Sequence, residues 1–124
     1  LEKVTYSCYT IIGMNNKQFT AELTDEAEEQ LFALSVDNRV KIAEAIRIFE
    51  NVGTQYKNIN DLGNGLFEIK PKGIRAYFMY DPNRRRIIIV GLIVLKETQK
   101  APSRYIKQAR KNIERYLNQQ ELKI

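Results

Sequence analysis

The segment Gly65-Leu66-Phe67-Glu68-Ile69-Lys70-Pro71-Lys72-Gly73-Ile74-Arg75-Ala76-Tyr77-Phe78-Met79-Tyr80 constrains the fold more than any other stretch of the chain. Two runs rich in apolar and aromatic residues flank a Pro-Lys-Gly turn, which is the pattern of a β-hairpin. Side chains alternate between the two faces of a strand, so Phe67 and Ile69 share one face while Glu68 and Lys70 share the other. On the returning strand Arg75, Tyr77 and Met79 lie opposite Ile74, Ala76, Phe78 and Tyr80. Pairing Lys70 near Arg75 and Glu68 near Tyr77 gathers the polar groups on one face. A register slipped by one residue would send Arg75 into the core as an unpaired charge, which is costly. The hairpin is therefore expected to turn one apolar face to a core and one basic face, carrying Arg75, to open solvent.

The flanking sequence supplies the remaining layers. Asp81-Pro82-Asn83 signals a turn, and Ile87–Leu95 reads as a central strand buried on both faces. Phe19–Leu23 alternates as a strand should. Val4–Ile12 is β-branched and aromatic until Gly13-Met14-Asn15-Asn16 breaks it, so residues 1–16 either add a strand or precede a start at Met14. From Thr24 the period becomes helical, with Ala27, Leu31 and Leu34 on one stripe and Asp25-Glu26 suited to a helix N-terminus. A second helix over Val36–Val52 turns Val40, Ala43, Ile46 and Phe49, or their neighbours, inward and stops at Gly53. Pro102 opens a last helix. Its apolar stripe is Ile106, Ala109, Ile113 and Leu117, and Arg104, Lys107, Lys111 and Arg115 form a basic ridge beside it. The result is a single α+β domain over residues 1–124: a small antiparallel or mixed β-sheet, a helical hairpin on one face and a C-terminal helix.

Charge separates the halves. Residues 1–64 hold 6 Lys/Arg against 10 Asp/Glu, a net of −4, whereas residues 65–124 hold 14 against 5, a net of +9. The second half is an electrostatic match for a phosphate backbone. The chain has no histidine, which excludes a Ser-His triad, a histidine metal centre and the imidazole pair of a metal-free ribonuclease. A lone cysteine, Cys8, gives no internal disulfide, and no phosphate-loop or dinucleotide motif occurs. No metal and no cofactor is expected. With no apolar run near the ~20 residues of a membrane span and no signal-peptide pattern, a cytoplasmic protein is expected.

Read in order, Gly65-Leu66-x-Glu68-Ile69-Lys70, Arg75, the apolar strand and Lys96-x-Thr98-Gln99-Lys100-x-Pro102 resemble the RelE/ParE superfamily of bacterial toxins, most closely its HigB-like branch, over residues 18–117. Two positions depart from the branch pattern: Glu97 follows Lys96 where a second basic residue is usual, and Val94 replaces an aromatic. The resemblance implies a RelE-like fold and the toxin of a type II toxin–antitoxin pair. It further implies a ribosome-dependent endoribonuclease that cuts mRNA in the A site without a metal, with a cognate antitoxin as partner.

In such a reaction a 2′-hydroxyl attacks the neighbouring phosphate, and preorganised cations stabilise the charge that builds there, each commonly worth about 3–4 kcal/mol. Carried over by resemblance, Lys70, Arg75, Glu68 and Lys96 are the expected catalytic residues. Arg75 is the leading choice because a guanidinium grips two phosphate oxygens. Lys72, Lys100, Arg104, Lys107, Tyr77 and Tyr105 are the expected RNA contacts, and the general acid stays open among Tyr77, Tyr80 and Tyr105. Arg84-Arg85-Arg86 is read as a solvated turn. A ParE-like inhibitor of DNA gyrase and a non-catalytic basic nucleic-acid-binding module are the alternatives.

Overall fold

The computed structural model describes residues 17–122, so the Val4–Ile12 strand expected from the sequence lies outside the described residues. The chain forms β1 (Thr20–Leu23), α1 (Asp25–Ala33), α2 (Val36–Val52), a short 3-10 turn (Gly53–Gln55), β2 (Ile59–Gly63), β3 (Leu66–Ile69), β4 (Ile74–Tyr80), β5 (Ile87–Leu95) and α3 (Ser103–Leu122). The five strands make one mixed sheet in the order β1-β5-β4-β3-β2, parallel only between β1 and β5. The fold is α+β, as the sequence implies. β5 is interior and covered on both faces, but the middle position belongs to β4.

The helical hairpin forms where the caps place it. Thr24 Oγ1 accepts from Ala27 N at 3.1 Å, and Ser35 caps α2 through Asn38 N. Gly53 ends α2 with φ +60°, a conformation most residues avoid. The face α2 buries is Ile42, Ala45, Ile46 and Phe49. Val40, expected inward, is 43% exposed, because Ile42 and Ala45 set the phase of the stripe. These helices pack on the sheet face made by Ile69, Ile74, Ala76, Phe78, Ile88, Val90 and Ile93.

The hairpin of β3 and β4 has the expected register, with Glu68 opposite Tyr77 and Ile69 opposite Ala76. Its polar face, however, is not open. Leu66, Tyr77, Ile89 and Leu92 on that face form a second core with Ala109 and Ile113 of α3. The apolar stripe of α3 needs a surface to bury, and the sheet offers one between the ionic groups. Contact is close at Gly91, a bulged position on β5 that pairs with no residue between Phe78↔Val90 and Tyr77↔Leu92. A Cβ there would lie 2.5 Å from Ile113 Cγ1 and 2.9 Å from the Ala109 carbonyl oxygen. Asn112 Nδ2 donates to the Gly91 carbonyl at 2.8 Å, fixing α3 against the bulge.

β2 has no counterpart among the strands expected from the sequence. Ile-Asn-Asp-Leu-Gly has no clear alternation and pairs with β3 through an irregularity between Asp61 and Gly63, as suits an edge strand.

Candidate functional site

The polar face gathers the expected site residues in two groups, one buried and one at the surface. Arg75 is 1% exposed and Glu68 is 2% exposed, which overturns the expectation that Arg75 faces open solvent. Covering the sheet with α3 and the loop before it puts the pair inside. Arg75 Nε lies 3.0 Å from Glu68 Oε1, an ion-pair contact without hydrogen-bond alignment, and Asn60 Nδ2 donates to Glu68 Oε2 at 3.2 Å. The other end of the guanidinium donates to three consecutive backbone carbonyls. Nη2 reaches Thr98 at 2.9 Å and Gln99 at 2.6 Å, and Nη1 reaches Lys100 at 3.1 Å. Thr98 Oγ1 donates to the same Lys100 carbonyl at 2.5 Å. The Lys96–Pro102 loop contains no glycine and no helix to satisfy its carbonyls, so a buried arginine performs that task.

Tyr77 is wholly buried beside this pair, and among the described residues its hydroxyl has no hydrogen-bond partner. Burial pushes that hydroxyl up to about 12, and the nearby Arg75 charge only partly opposes it. Stacking of RNA on Tyr77, expected from the sequence, is therefore closed off in this arrangement. Tyr80 lies on the opposite sheet face among Phe19, Phe49, Phe67 and Phe78. Tyr105 packs at the margin of the second core with its hydroxyl toward solvent, accepting from Arg104 Nη2 at 3.3 Å. The Arg104 guanidinium also sits 4.6 Å from the Tyr105 ring centroid.

Lysines surround the buried pair at one end of the sheet. Lys70 follows β3, Lys72 is in the tight turn, and Lys96 follows β5 with its N–H donating to the Gly73 carbonyl at 2.8 Å. Lys100 is on the loop that Arg75 holds. Lys70 and Lys96 are half-exposed, while Lys72 and Lys100 are exposed. Among the described residues none of these four side chains has a carboxylate partner. Arg104 is paired with Glu97 at 3.5 Å, and Lys107 stands exposed one turn further along α3.

Arg84 lies apart from this cluster and is not simply solvated. It makes a two-pronged contact with Glu22 at 2.7 and 2.9 Å and another with Asp81 at 2.7 Å, while Tyr116 donates to Glu22 at 2.6 Å. These bonds join β1, the β4–β5 turn and α3. Hydrogen bonding from Arg84 holds the Glu22 carboxyl below the usual range. Glu26 pairs with Arg115, so the acidic run at the start of α1 is engaged with α3. Neither link had a signal in the local sequence, since each joins residues more than sixty positions apart.

The family described as "Phage derived protein Gp49-like (DUF891)" matches residues 29–114. The chain belongs to this family. The match runs from α1 to the middle of α3 and so contains the loop, the lysine cluster and the buried pair. Among solved structures, a chain of the toxin–antitoxin complex RelBE2 from Mycobacterium tuberculosis is similar with a TM-score of 0.54 and 14% identity, over 64% of this chain and 99% of that one. That likeness shows that this Gp49-like chain has a RelE-type fold. No curated protein matches it in sequence. Among the described residues no helix is long and apolar enough to cross a membrane, and no group of three His, Cys, Asp or Glu side chains could hold a metal ion.

Proposed function

We propose that this Gp49-like protein is the toxin of a two-gene toxin–antitoxin pair and a HigB-like endoribonuclease that cuts mRNA on the ribosome. The observation that carries this reading is the set of lysines Lys70, Lys72, Lys96 and Lys100, free of carboxylate partners among the described residues and gathered at one sheet end. Nothing in the fold requires four uncompensated cations together, and their mutual repulsion is relieved by a polyanion. The RelE-type fold and the resemblance in motif order support the same reading, and a cognate antitoxin is the partner it implies.

In this mechanism the 2′-hydroxyl of the A-site nucleotide gives up its proton and attacks the adjacent phosphorus. The bond to the 5′-oxygen then breaks, leaving a 2′,3′-cyclic phosphate and a 5′-hydroxyl. Lys96 and Lys100 stabilise the charge on the phosphorane, and Lys70, acting as a free amine, takes the 2′-hydroxyl proton. Tyr105 is the tyrosine positioned to protonate the leaving oxygen, because Tyr77 is sealed and Tyr80 is on the other face. Lys72, Arg104 and Lys107 hold the RNA backbone. Glu68 and Arg75, both enclosed, do not meet the substrate directly. The ribosome supplies in-line orientation, worth about 7–11 kcal/mol of barrier.

The test is induction of the chain without its partner in a bacterium, with primer extension on cellular mRNA. Growth should stop, and cuts should be phased to the A site and carry cyclic phosphate ends. A Lys70→Ala, Lys96→Ala double variant should restore growth while remaining folded. Growth arrest with intact mRNA and broken DNA would assign the protein to gyrase inhibition instead.

A further inference from the structure

We propose that Arg75 is a positioning residue: it locks the backbone of the Thr98–Lys100 loop so that Lys96 and Lys100 are presented to the scissile phosphate. This rests on the nuclease reading above. It departs from the expectation, drawn from resemblance, that Arg75 grips the phosphate itself.

All three guanidinium nitrogens are already engaged, Nε beside Glu68 and the terminal pair on the carbonyls of Thr98, Gln99 and Lys100. A phosphate could reach this group only by displacing those contacts and opening a residue that is 1% exposed. The carbonyl contacts have a different consequence. Three successive residues of an otherwise exposed loop are tied to one planar fork, and the fork is tied to Glu68 on the neighbouring strand. Lys96 stands two residues before the tied segment, its backbone N–H bonded to the Gly73 carbonyl, and Lys100 stands at the segment's end. The separation of the two lysine backbones is thereby held by Arg75. A lysine in its place keeps the charge opposite Glu68 but has one nitrogen and cannot span the carbonyls.

Cutting of a defined mRNA on programmed ribosomes, measured under single turnover at saturating protein, tests this together with amide hydrogen exchange across residues 97–101. Lys96→Ala should slow cutting about 10²-fold. Arg75→Lys should slow it about tenfold, leave the half-saturating concentration unchanged and raise exchange across the loop. Adding Arg75→Lys to the Lys96→Ala, Lys100→Ala pair should slow cutting no further, since residues acting through one another are not additive. Thr98→Val removes a hydroxyl that bonds the same Lys100 carbonyl and leaves the buried pair intact. It should shift rate and exchange in the same direction as Arg75→Lys, and it serves if the arginine variant does not fold. Multiplying effects in the triple variant, or slower cutting by Arg75→Lys with loop protection unchanged, would overturn the proposal by placing Arg75 on the phosphate. A wild-type protein that leaves ribosome-bound mRNA intact would instead overturn the nuclease reading on which the catalytic role depends.

Discussion

At the scale of single residues, the same side-chain chemistry has opposite uses according to whether it is covered. Lys70 and Arg75 share a sheet face, yet Lys70 remains in contact with water while Arg75 is enclosed by α3 and the loop. Removing one member of a buried ion pair leaves the other charge without compensation, typically at a cost of about 3–5 kcal/mol. Arg75→Ala should therefore lower the unfolding free energy by about that amount in urea titrations, because Glu68 and three carbonyls lose their partner. Lys70→Ala should stay within about 0.5 kcal/mol of wild type, as surface changes usually do. An Arg75→Ala protein as stable as wild type would show that the pair is not a structural anchor.

Among the elements, α3 and β5 depend on each other through the bulge at Gly91. The bulge lets Ile89 and Leu92 both face α3, and a missing side chain admits Ile113 against the strand. Gly91→Ala overpacks this contact and should cost about 1–3 kcal/mol. Thermal unfolding of that variant measures the cost directly, and an unchanged midpoint would mean that α3 moves away without penalty. The N-cap of α1 gives a smaller and more local test. Thr24→Ala should cost about 1 kcal/mol by releasing the Ala27 N–H.

Across the whole molecule, Glu22, Asp81, Arg84 and Tyr116 join the first strand, a distant turn and the last helix. The Glu22 carboxyl is lowered from 4.5, first by its bond from Arg84. The Asp81 carboxyl is lowered from 3.8: burial raises it, but hydrogen bonds from the Asn83 backbone and from Arg84 outweigh that. Both groups bind protons more weakly when folded, so they stabilise the fold above their unfolded values. That stability is lost as pH falls through the lowered folded values. Unfolding free energy should thus be level above about pH 5 and drop below pH 4.5, and Arg84→Ala should flatten the drop. Tyr77 and Tyr116 act at the other extreme. Both are raised from 10 to about 12, so their contribution is complete below pH 10 and disappears as pH rises toward 12.

Most of the layered plan can be read from local pattern. Period and capping residues mark α1, α2 and α3, and the charges on alternate positions of β3 and β4 select the observed register, because one face of that hairpin had to be apolar. The lysines of the site are legible for the same reason: a cation after the last apolar position of a strand remains near water. β2 was not legible, since an edge strand of five residues with three polar or glycine positions has little periodicity to detect. Nor was the burial of Arg75. Whether a polar sheet face is open or covered depends on where a helix nearly thirty residues later returns, and that is decided by the fit of Ile113 against Gly91 and by the carbonyls of the loop between them. The sequence by itself determined which residues share a face, whereas only the tertiary structure decided which of the charged ones would meet solvent, because burial is a property of the layer above and not of the strand that carries the charge.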